Sequence, residues 1–257
     1  MIITLIQYLF SIISGFLVGF SLGLIGGGGS ILAIPLLLYF VGIDKPHLVI
    51  GTTALAVGIN AYINFIGHFR KHNVDIKIGL IFSIVGVIGV LIGTTLGLIT
   101  PGESLIGIFS VLIIVIGLYM FLTKCKKCTH SKKSKKSRVN KNKVSIFSLI
   151  AGFASGYFGI GGGFLIVPSI LYSSDTTINK AVGTSLLAVG TFGIVTAIRY
   201  AFAGDLIISI AVLYVLGGIF GGIIGTKITT SIDKSLLRKI FAIIIMAVGI
   251  YMLVPFI

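Results

Sequence analysis

Two glycine clusters carry the chemistry available to this chain. The first, Gly26-Gly27-Gly28-Gly29-Ser30, sits in an apolar stretch and is followed by Pro35; the second, Gly159-Ile160-Gly161-Gly162-Gly163, is followed by Pro168. Glycine inside a helix costs up to about 1 kcal/mol relative to alanine, so three or four in succession predict a break. A break at 26–29 starts a new helix at Ser30, and one at 161–163 starts a helix at Phe164. Helix starts expose N–H groups without partners and about half a positive charge, and glycine lets a ligand approach them closely. Two such starts facing each other make an oxyanion site that needs no buried cation. The plainer role of glycine, tight helix crossing, suits Gly86, Gly89, Gly93 and Gly218, Gly221, Gly225, which repeat as G-x-x-G-x-x-x-G.

Hydroxyls follow both clusters in Gly51-Thr52-Thr53 and Gly183-Thr184-Ser185. Those of Thr52, Thr53, Thr184 and Ser185 either donate to a bound oxygen or bond back to their own helix. Asn60, Asn64 and His68 recur every fourth residue and form one polar stripe, which lines a pathway or ties helices together. Arg199, near a helix end, either attracts anions or snorkels to the interface. The six acids, Asp44, Asp75, Glu103, Asp175, Asp205 and Asp233, all fall at the ends of apolar segments. That placement argues against a cation pump or a carboxylate proton relay, and Asp75 and Asp205 read as helix N-caps. If protons are coupled, His68 or His47 carries them, or the substrate arrives protonated; other ion coupling stays open. Nothing points to catalytic residues, and no P-loop supports a primary pump. Cys125 and Cys128 form a C-x-x-C with His130 nearby, but haem attachment wants His directly after the second Cys and zinc wants four ligands. They read as free thiols, so neither a metal nor a cofactor is expected.

The elements that must position these groups are transmembrane helices. Mean hydropathy is +1.16, with 56% hydrophobic and 10% charged residues, against about 25% charged in globular domains. The net charge of +14 does not signal nucleic acid, because ten of the 20 Lys and Arg lie in one tract, 124–143. Such a block is a cytoplasmic, positive-inside topology signal. The apolar stretch at 2–25 lacks a basic n-region and does not read as a signal peptide. The expected fold is an all-α polytopic membrane protein of two homologous repeats, 1–123 and 144–257, joined by the linker 124–143. Each repeat carries a glycine-broken helix pair plus three transmembrane helices. If the broken pairs make no net crossing, eighteen basic residues lie inside and two outside, against fourteen and six for four plain crossings per repeat. That bias favours halves inverted relative to one another.

The doubled pattern G-x-x-x-G-x-x-G-x-G-G-G…Pro followed by Gly-Thr-Thr/Ser resembles the TauE/SafE sulfite exporter family, also called TSUP, over essentially the whole chain. The resemblance implies a plasma-membrane permease that moves a small sulfur-containing anion, such as sulfite, sulfoacetate or a related organosulfonate, usually outward by alternating access. A passive anion channel, or an uptake permease for another small anion, is the alternative. Carried over residue by residue, Gly26, Gly28, Gly29 and Pro35 match the first motif, and Gly159, Gly161, Gly162, Gly163 and Pro168 the second. The chain departs from strict repetition at Gly27 against Ile160, at Ser30 against Gly163, and in its long Lys-rich linker. The lipid bilayer is the other expected partner. Oligomeric state is not readable.

Overall fold

The computed structural model describes residues 4–122, 141–174, 176–228 and 234–254, whose regular elements are helices. Six helical stretches are long and apolar enough to cross a membrane, so the chain is a multi-pass helical membrane protein. Most of the linker, including Cys125, Cys128 and His130, lies outside the described residues, as do Asp175 and Asp233.

The first half runs α1 (Leu5–Ile25), a 3₁₀ turn (Gly26–Leu32), α2 (Ala33–Pro35), a π-helical turn (Leu36–Phe40), α3 (Pro46–Arg70), α4 (Ile76–Ile99) and α5 (Gly102–Leu122). The second runs α6 (Lys141–Phe158), α7 (Gly163–Ser173), α8 (Ile178–Phe202), α9 (Ile208–Ile228) and α10 (Lys234–Leu253). Local sequence sets several starts. Thr4 and Gln7 form a capping box on α1, Pro46 occupies the first turn of α3, and Asp75 accepts the Ile78 N–H at 3.2 Å to cap α4. Asp205 instead closes the α8–α9 turn, its N–H donating to the Tyr200 carbonyl at 2.9 Å.

Each glycine-broken pair folds back on itself. The Gln7 side chain donates to the Gly42 carbonyl at 3.2 Å, and the Phe10 and Phe40 rings stack at 4.5 Å. In the second half Phe147 meets Tyr172 edge-on at 5.6 Å, and Lys143 stands 5.1 Å over the same ring. The start of each first arm therefore lies beside the end of its return, and 5–40 is a hairpin rather than one long crossing.

The hairpins pack through glycine. Side chains at Gly89 or Gly93 on α4 would collide with the backbone of α6, and at Gly221 or Gly225 on α9 with that of α1. Close backbone approach lets dispersion and weak hydrogen bonds hold helices where lipid gives no hydrophobic drive. Between them, α3 and α8 cross antiparallel, with Gly51 against Tyr200 at one end, the Tyr62 and Thr191 hydroxyls 2.9 Å apart near the middle, and Gly183 against His68 at the other end. Helices α5 and α10 also run antiparallel, Gly117 beside Ile245 and Gly249 beside Ile113. These contacts recur under a fixed sequence shift: Gly51 abuts the Asp205 carbonyl, as Gly183, 132 residues on, abuts that of Asn73.

Candidate functional site

The two hairpin tips meet. A Cβ on Gly27 would strike Gly163, and one on Gly163 would strike Gly27. Residues Gly26 to Ser30 and Gly159 to Gly163 are all buried, with α3 and α8 closing round them: Ile50 and Val57 from one side, Val182 and Val189 from the other. Among the described residues, the buried set contains no Asp, Glu, Lys or Arg. Backbone and hydroxyl groups are therefore the polar lining of this place.

The tips are built differently. In the first, Gly26 alone takes a left-handed φ of +75°, and the glycines after it wind into the 3₁₀ turn. The expected α-helix start at Ser30 is thus displaced to Ala33: one glycine breaks the helix, and its neighbours are helical but tighter. Polar groups here are mostly consumed internally. The Gly26 N–H donates to Leu22 O, the Gly27 N–H to Ser185 Oγ at 3.3 Å, and Ser30 Oγ to the Gly27 carbonyl at 2.7 Å.

In the second tip three residues are left-handed, Gly159 at +68°, Gly161 at +71° and Gly162 at +62°, and α7 starts at Gly163, one residue before the expected Phe164. The Gly159 N–H donates to Ser155 O, and the Gly162 carbonyl accepts from Leu165 and Ile166. The N–H groups of Ile160, Gly161 and Gly162 have no acceptor among the described residues. Successive N–H groups in turns with left-handed residues form anion-accepting concavities, and here they precede a helix start.

The hydroxyls divide. Thr52 Oγ1 accepts the Ile207 N–H at 3.0 Å and Thr184 Oγ1 the Asp75 N–H at 2.8 Å, so each anchors a loop of the opposite half. Thr53 bonds back to Val49 and Ile50. Ser185 reaches the tips, donating to Val182 O while accepting from Gly27. Asn60, Asn64 and His68 lie on the face of α3 that packs on α9 and α1, Asn60 against Gly218, Asn64 against Gly222, and His68 Nε2 3.1 Å from the Gly23 carbonyl. Arg199 is exposed and donates to Thr95 at 3.0 Å, so it binds α8 to α4 at the surface. Sequence reasoning passed over Ser155, which is fully buried beside Gly162 with its Oγ unpartnered. Its only signal was a mismatch between the copies, since Leu22 stands in the equivalent place.

A groove of about 500 Å³ runs between α10 and the outside of the first hairpin, lined by Leu24, Ile25, Leu32, Tyr39, Ile244 and Tyr251 among others. Its walls are almost wholly apolar, so it has no means of holding a small anion.

Fold-back hairpins meet tip to tip inside a multi-pass membrane bundle whose described elements are helices, and the relatives of this chain are named as membrane transporters. The chain matches the family model "Sulfite exporter TauE/SafE" over residues 11–252 and belongs to that family. It is 43% identical over 242 residues to a "Probable membrane transporter protein" of Xylella fastidiosa strain 9a5c, covering 93% of this chain and 92% of the relative. It is 28% identical over 212 residues to "Probable membrane transporter protein YdhB" of Bacillus subtilis strain 168, covering 77% and 81%. No solved structure matches the chain.

Proposed function

We propose that this transporter is a secondary carrier of small sulfur oxyanions that present one negative charge to the site, hydrogensulfite or the sulfonate end of an organosulfonate such as sulfoacetate, working by alternating access. The observation that carries this is the set of unpartnered amides at the second hairpin tip, in a buried place with no charged side chain. Neutral donors compensate one negative charge far better than two, because removing a second charge from water is far more costly. The family's printed name, sulfite exporter, agrees with that class and with outward movement.

The halves 1–123 and 144–257 act as inverted units about an axis in the membrane plane. The antiparallel α3–α8 and α5–α10 pairs and the recurring 132-residue contact shift support this, as does the eighteen-to-two charge bias, which agrees with a cytoplasmic linker; the plasma membrane is the location that goes with an exporter. Rocking of the two hairpin units around the tips exposes the site to each side in turn.

Flux of radiolabelled sulfite in proteoliposomes, saturable and showing counterflow, is the expected result. Ohmic single-channel currents would replace the carrier with an anion pore. Absence of flux for both sulfite and sulfoacetate would remove the substrate class.

A further inference from the structure

We infer that the two tips are unequal ligands and that Ser155 is a specificity-determining residue holding the oxyanion on the second tip; this rests on the oxyanion-carrier reading above and deepens it. Buried hydroxyls in this chain habitually bond back to their own helix, as Ser11, Thr53, Thr94, Ser169, Ser174 and Thr226 do. Ser155, like Ser14, Ser83 and Thr196, does not, although the Ala151 carbonyl lies one turn behind it, and of these four it is the one that a Cβ on Gly162 would meet. It is 0% exposed, and its Oγ has no partner. A Cβ placed on Gly162 would stand 2.6 Å from the Ala151 carbonyl and 2.9 Å from the Ser155 Cβ. The side chain thus sits against the turn whose Ile160, Gly161 and Gly162 N–H groups also find no acceptor among the described residues.

Two independent deficits coincide here: an unpartnered hydroxyl and an unpartnered run of amides. An anion with several oxygens satisfies both, one oxygen taking the amides and another the Ser155 O–H. A hydroxyl also accepts, so Ser155 receives the proton-bearing oxygen of hydrogensulfite without rearrangement. The first tip offers neither feature. Leu22 replaces the hydroxyl, Ser185 takes the Gly27 amide, and Ser30 takes the Gly27 carbonyl. The anion is therefore held by one half, and the first tip closes over it.

The test uses the full-length purified chain with sulfite, methanesulfonate and chloride as probes, reading Kd by calorimetry and flux in proteoliposomes. Ser155→Ala weakens sulfite and methanesulfonate about tenfold or more, as expected for a hydrogen bond to a charged group, while chloride binding and Tm stay unchanged. Ser155→Thr restores most of the affinity. Leu22→Ser changes Kd less than about twofold. As a measurement independent of the alanine variant's folding, Ser155→Cys in a Cys125→Ser, Cys128→Ser background reacts with a small maleimide and methanesulfonate slows that reaction. Wild-type Kd and KM in Ser155→Ala, or no protection of Ser155→Cys, overturns the role of Ser155 while leaving the carrier intact. No oxyanion binding by the unaltered chain overturns both.

Discussion

Adding one methyl at each tip separates a site from a hinge. At Gly162 the backbone is left-handed, φ +62°, which costs an L-residue about 1–2 kcal/mol. The new Cβ also meets the Ala151 carbonyl at 2.6 Å and Ser155 at 2.9 Å, and overpacking of that kind costs about 1–3 kcal/mol. The turn relieves both by moving, and moving turns its amides away from the anion. Losing one such charge-assisted bond, about 1.5–3 kcal/mol, weakens binding roughly 10- to 150-fold. Gly28→Ala is the control: its Cβ meets only Ile25 Cγ2 at 3.1 Å, and its φ is not left-handed. Alanine there favours the helical turn by up to about 1 kcal/mol. Calorimetry with sulfite on both purified variants should show a large loss for Gly162→Ala and less than about twofold change for Gly28→Ala. Gly162→Asn, tolerant of left-handed φ, isolates the collision from the strain and should fall between them. If Gly162→Ala binds like the unaltered chain, or Gly28→Ala loses as much, the reasoning from unpartnered amides is wrong.

In vesicles held at equal pH on both sides, sulfite flux falls as pH rises, because the monoanion gives way to the dianion, while methanesulfonate flux stays level. Sulfite flux that climbs with pH would reverse the charge argument. Thr52→Val and Thr184→Val each remove the acceptor of a loop N–H and lower stability by about 1–3 kcal/mol, with sulfite Kd unchanged; weaker binding at unchanged Tm would return these threonines to the site. With Cys125 and Cys128 replaced by Ser, a cysteine placed at Lys45 labels from outside and one at Lys239 from inside in whole cells, and the opposite pattern at either position breaks the inverted arrangement.

The hairpins and their packing were legible because they rest on backbone cost: a run of glycine cannot stay α-helical, and acids confined to segment ends leave the interior apolar. The inequality of the tips was less so. Four glycines at 26–29 look like a wider break than Gly159 to Gly163, yet only Gly26 turns left-handed in the first while three do in the second. What decides this is tertiary, since Gly27 and Gly163 must pass in contact and the first tip gains a hydroxyl partner in Ser185. The roles of Thr52 and Thr184 were hidden for the same reason: their partners, Ile207 and Asp75, lie in the opposite half. Spacing shows that a hydroxyl lies near a tip but not which long-range donor reaches it first.

We propose that the polar stripe of α3 gives the two sides of the molecule different gates. Asn60 is 0% exposed, neither of its amide atoms has a partner, and Gly218 of α9 presses against it. Asn64 donates to the Asn60 carbonyl at 2.9 Å but leaves its own Oδ1 unmatched. The equivalents on α8, 132 residues on, are Phe192, packed on Gly86, and Thr196. One interface therefore hides three unmatched amide atoms, two of Asn60 and one of Asn64, each costing about 1–3 kcal/mol when dry, while at the two equivalent positions of α8 one atom, Thr196 Oγ1, is unmatched. Parting α9 from α3 lets water reach both asparagines and recovers that energy, so the sealed arrangement is biased to open on this side. Asn60→Leu removes the incentive: a residue of similar volume without polar atoms should raise Tm and slow flux by holding the gate shut. A cysteine at Gly67, next to the stripe, would lose maleimide reactivity in parallel. A lowered Tm with undiminished flux would mean that Asn60 is glue between helices rather than part of a gate.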